Sequence, residues 1–172
     1  MKRVIFLFLV SIISIIPAAA QETDSLQNKF THAHIDSLSS RLNKLQHDYD
    51  FLRCQYELKI IQLELNRFIN SLNISSNEIL IDRYHRIFNI DLYTSFRNKY
   101  DAYTELFNSL KESVSQVKTL VALMCITSNF SNKEEEYLSH SSSTLDKSIT
   151  AAESSLNYYK VVLDNYKNKL YR

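Results

Sequence analysis

The chain contains no glycine in 172 residues, and its only proline is Pro17. At a usual glycine share of about 7 %, roughly 12 would be expected. Glycine supplies positive φ in tight hairpins, bulges and phosphate loops. Its absence argues against compact β folds and against every glycine-loop nucleotide site. Long helices are the remaining option, and the apolar spacing supports them.

The N-terminus reads as an export signal. Lys2 and Arg3 precede an apolar run from Val4 to Ile16, followed by Pro17 and Ala18-Ala19-Ala20. A basic start, a short apolar run and an A-x-A end form the secretory pattern. The run is shorter than the roughly 20 residues of a membrane-spanning helix. Cleavage is expected after Ala20, leaving residues 21–172 as one helical domain in the periplasm or outside the cell. Losing Lys2 and Arg3 takes the net charge from +1 to −1, with 18 basic and 19 acidic residues left. Such a chain has no long-range field for nucleic acid or anionic lipid.

Three stretches carry apolar residues at alternating steps of three and four. One runs Tyr93, Phe96, Tyr100, Tyr103, Phe107, Leu110, Val114, Val117, Val121, Met124. Another runs Leu138, Ser142, Leu145, Ile149, Ala152, Leu156, Tyr159, Leu163, Tyr166, Leu170. A mean step of 3.5 keeps one stripe facing a partner helix and implies left-handed supercoiling. The N-terminal stretch holds two seams. Ile35, Leu38, Leu42, Leu45, Tyr49, Leu52 and Tyr56 form the first, which fails at Lys59 and Asn66. Phe51, Cys54, Leu58, Ile61, Leu65, Phe68 and Leu72 form the second, offset by two residues, or about 200° around the helix. The buried face therefore changes sides near residues 51–58.

Two S-x-x-E capping boxes lie between the seams: Ser75 with Glu78, and Ser131 with Glu134. In such a box the serine and glutamate side chains satisfy free backbone N–H groups at a helix start. They predict helices over about 24–72, 76–128 and 132–171. The connections are short, so neighbours are expected to run antiparallel. The expected fold is all-α, an elongated antiparallel three-helix bundle of coiled-coil character.

In this register the third helix stops short of the first turn. The hairpin tip, with Ile61, Leu65, Phe68, Ile74, Ile79, Ile87 and Phe88, then stands as two helices alone. Two helices bury only the faces between them, so these residues are the candidate partner-binding surface. The alternative is a break at Asn89-Ile90-Asp91, with Asp91 as a cap and the tip folding back as a fourth short helix.

No catalytic, metal or cofactor site is expected. The five histidines lack an H-E-x-x-H spacing, and no Cys or carboxylate cluster completes a metal set. The serines at 139 and 141–143 read as a mostly solvated face. Seam tyrosines bury the ring and send the hydroxyl to the rim. Asn73-Ile74-Ser75 and Asn129-Phe130-Ser131 are glycosylation sequons that coincide with turn residues. In the expected register Cys54 lies roughly 44 Å along the axis from Cys125, so no bridge between them is expected.

The expected function is an exported, non-enzymatic helical module of the cell envelope, structural or binding a protein partner, another copy included, through the apolar tip. The alternatives are an effector whose tip inserts into a membrane surface and a holdase-type chaperone. No small-molecule substrate is evident.

Overall fold

The computed structural model describes residues 24–85 and 87–170. The expected export signal at 1–20 lies outside them. The described residues form three helices, α1 (Asp24–Tyr84), α2 (Ile90–Thr127) and α3 (Asn132–Leu170), packed against one another. The chain divides into two compact units, Met1–Lys44 and Leu45–Arg172. In the first unit Ile35, Leu38 and Leu42 are exposed. The second unit holds the core and every contact described below.

The seams of α2 and α3 fill that core much as their spacing predicts. Phe96, Phe107, Leu110, Val114, Val117 and Val121 are buried on α2, with Tyr100 and Tyr103 packed beside them. On α3 Leu138, Leu145, Ala152, Leu156, Tyr159, Leu163 and Tyr166 are buried. Fully burying one such apolar side chain contributes about 1.5–3 kcal/mol. Half-buried Ser142 is the polar exception.

The first turn is not where the capping box placed it. Helix α1 runs on through Ser75 to Tyr84, and residues 76–84 complete it rather than open α2. The second seam explains this, because Leu72, Ser75 and Ile79 continue its steps without interruption and all three are buried. The Ser75 hydroxyl bonds the Tyr103 hydroxyl at 2.9 Å, and the Glu78 carboxylate accepts from Lys99 Nζ at 2.8 Å. Both box side chains thus serve packing against α2. No separate short helix occurs among the described residues at this end.

Helix α2 starts at the alternative break. Asn89, rather than Asp91, is its N-cap, with extended backbone and a side chain accepting from Asp91 N at 2.7 Å. Asp91 sits in the first turn, where its charge complements the helix dipole. The second box forms as expected. Ser131 N and Oγ donate to Glu134 Oε2 at 2.8 and 2.7 Å. Glu134 N donates back to Ser131 Oγ at 3.4 Å. Between Ser128 and this box, Asn129 takes φ 47°. Asparagine is the usual substitute for glycine in the left-handed region that ends a helix, and this chain has no glycine to use.

Candidate functional site

The expected tip surface is mostly interior. Ile61, Leu65, Phe68 and Ile79 are buried core residues. Phe68 stacks on Phe107, with ring centroids 5.8 Å apart. Phe88 is half-buried, its ring 5.5 Å from that of Tyr166. Only Ile74 and Ile87 of the seven stand exposed. The reason is the shifted turn. With the break at 85–89, the second seam lies along the body of the bundle, and α2 covers it.

The true turn is held by α3. Tyr166 Oη donates to the Ile87 carbonyl at 2.9 Å and accepts from Asn89 N at 3.1 Å. Two helical turns further on, Tyr159 Oη donates to the Phe96 carbonyl at 2.9 Å. Burial, with Tyr103 and Glu78 nearby, pushes the Tyr159 phenol well above its ordinary range. These hydroxyls satisfy backbone groups inside the bundle rather than reaching the rim.

What remains open is the first seam. In the second unit Leu45, Tyr49, Leu52 and Tyr56 are 66, 58, 62 and 64 % exposed. They alternate by four and three, so they share one stripe of α1. The opposite face carries Cys54, Leu58 and Ile61, all buried. The spacing predicts that this stripe is buried, with the buried face changing sides near residues 51–58. Instead α2 and α3 pack on the second seam and leave the first exposed. Its flanks are charged, with Asp48 on one side and Arg53 on the other.

The turn at 128–131 completes the local structure beside this stretch. His47 lies 3.3 Å from the Glu134 carboxylate and its ring packs edge-on against Phe130. Asp50 accepts from Ser128 Oγ at 3.0 Å and from Gln46 Nε2 at 2.9 Å. The Ser131 hydroxyl and backbone N–H, and then His47, hold the Glu134 carboxyl below the usual carboxylate range. Each of these polar groups is engaged in capping or packing. Among the described residues no group of three His, Cys, Asp or Glu could hold a metal ion, and no helix is long and apolar enough to cross a membrane.

Comparison with known proteins finds no match: no family model fits the chain, and no curated protein or solved structure is similar to it.

Proposed function

We propose that this chain is an exported, non-enzymatic helical bundle that works by protein–protein contact in the cell envelope or outside the cell. Its partner is a second copy, docked along α1. The observation that carries the proposal is the exposed row Leu45, Tyr49, Leu52 and Tyr56. Apolar residues repeating at 3.5 on a helix are the signature of a coiled-coil seam, and here the bundle leaves that seam uncovered. In sequence the same steps reach back to Ile35.

Charge favours self-pairing. With Tyr49 and Tyr56 at a positions and Leu45 and Leu52 at d, Asp48 falls at g and Arg53 at e. In a parallel, in-register pair, g of one helix meets e of the next heptad on the other, so Asp48 meets Arg53 twice. Opposite charges at these positions set partner choice and orientation. Leucine at d is typical of two-stranded pairs. The chain itself is read as an up-down-up antiparallel bundle. The short turns support this, as do side-chain pairs whose α2 numbers fall as their α1 numbers rise.

Analytical ultracentrifugation tests the proposal. The wild type is expected to sediment as a dimer, and Leu45→Asp/Leu52→Asp as a folded monomer. Asp48→Arg is expected to weaken the dimer and Asp48→Arg/Arg53→Asp to restore it. A wild type that stays monomeric at high concentration rejects the reading. Flotation of that monomer with neutral vesicles would move the surface to lipid.

A further inference from the structure

Cys54 and Cys125 lie at one level of the bundle, on facing helices. Pairs between α1 and α2 fix the register: Asp50 bonds Ser128 at 3.0 Å, Phe68 stacks on Phe107, Ser75 bonds Tyr103 at 2.9 Å and Glu78 meets Lys99 at 2.8 Å. Cys54 is one helical turn beyond Asp50 and Cys125 nearly one turn before Ser128. The Asp50–Ser128 bond therefore brings the two cysteines, both free thiols in this structure, to the same level on α1 and α2. Both face inward, Cys54 fully buried and Cys125 half-buried against the same core. This overturns the wide axial separation expected from a turn at residues 73–75.

We infer that Cys54 and Cys125 are a modification site, forming an intrachain disulfide that ties α1 to α2 when the chain folds in an oxidising compartment. The oxidant is a disulfide donor, either an oxidised protein dithiol or oxidised glutathione. One cysteine thiolate attacks a donor sulfur, and a mixed disulfide forms as the donor's other sulfur leaves. The second thiolate then attacks the first cysteine's sulfur and displaces the reduced donor. Two thiol protons go to solvent and two electrons go to the donor. Thiolate is the attacking form. Burial, together with the neighbouring Cys125 and Asp50, pushes the Cys54 thiol up, and burial with Glu135 raises Cys125. The folded, reduced protein is accordingly slow to oxidise, and the bond forms while the helices are still closing.

The experiment refolds the full chain from denaturant with reduced and oxidised glutathione, then alkylates free thiols under denaturing conditions. The expected product is a monomer that takes up no alkylating agent and yields a peptide joining Cys54 to Cys125. Reductant should lower its Tm by about 10 °C, with no such effect on Cys54→Ala/Cys125→Ala. Two alkylated cysteines in the refolded monomer, or bridges found only between chains, would overturn the inference.

Discussion

Between residues 45 and 72 α1 carries two apolar seams on different faces. The second, Cys54 to Leu72, is buried against α2 and α3, whereas the first, Leu45 to Tyr56, faces solvent. Their spacing and residue types are alike, so period alone does not distinguish an internal seam from an external one. The difference lies in what faces each. The second meets Phe107 and Tyr103 on α2 and continues to Ile79, giving it length enough to be covered throughout. The first ends at Tyr56, since the next step is Lys59. An apolar helical face is stabilised by tertiary or quaternary packing. Among the described residues nothing packs over the first seam, and the second copy proposed above would supply the quaternary kind.

The sharpest way to break this contrast is to put the same charge on both faces. Leu65→Asp, on the buried seam, should cost at least about 3–5 kcal/mol, the scale of an uncompensated buried charge, and abolish the cooperative thermal melt. Leu52→Asp, on the exposed seam, should change monomer stability by no more than about 0.5 kcal/mol while removing self-association in sedimentation. Equal loss of Tm in both variants would mean that the first seam is also internal.

Alkaline pH probes the buried side further. Folding raises the Tyr159 pKa, so its stability contribution is complete below the ordinary value of 10. It falls above that pH, as Tyr159 ionises in the unfolded chain but not in the bundle. Loss should approach about 1.4 kcal/mol per pH unit. Urea unfolding from pH 9 to 11 measures it, and the decline should be shallower in Tyr159→Phe.

The smallest effects compare the two serine–glutamate boxes. Ser131→Ala removes a true cap and should cost about 1 kcal/mol in chemical denaturation. Its cap partner gives a pH signature as well. The Glu134 carboxyl is held below its ordinary value, so its contribution is present above pH 4.5 and lost as pH falls through the lowered pKa. Glu78→Gln removes an exposed pair with Lys99 and should cost about 0.2–1 kcal/mol, with no change in helix content. A loss of helicity there would restore a helix start at Ser75.

These boxes show where the sequence was legible and where it was not. The seams of α2 and α3 predicted their core almost position by position, because each has one apolar face and one set of partners. Ser75-x-x-Glu78 misled because a serine at a seam position reads equally as a cap or as a small buried residue. The deciding signal was present in Leu72, Ser75 and Ile79, which keep the seam's step through the box. Asn89, with Asp91 behind it, marked the real start. Moving the turn from 73–75 to 85–89 changed every inter-helix register at once. It took Ile61, Leu65, Phe68 and Ile79 into the core and brought Cys54 and Cys125 to one level. Coverage of the first seam was misread from its spacing, since it depends on surfaces far away in sequence.

The Tyr166 hydroxyl also sets an order of events. It clasps the Ile87 carbonyl and the Asn89 amide, nearly eighty residues earlier in the chain. Such a distant contact forms only after the loop between its ends has closed. Synthesis proceeds from the N-terminus, so the α1–α2 turn cannot acquire this clasp until α3 has emerged as far as Tyr166. A nascent chain therefore holds two helices whose elbow is still unlatched, and Tyr166 of α3 is the latch.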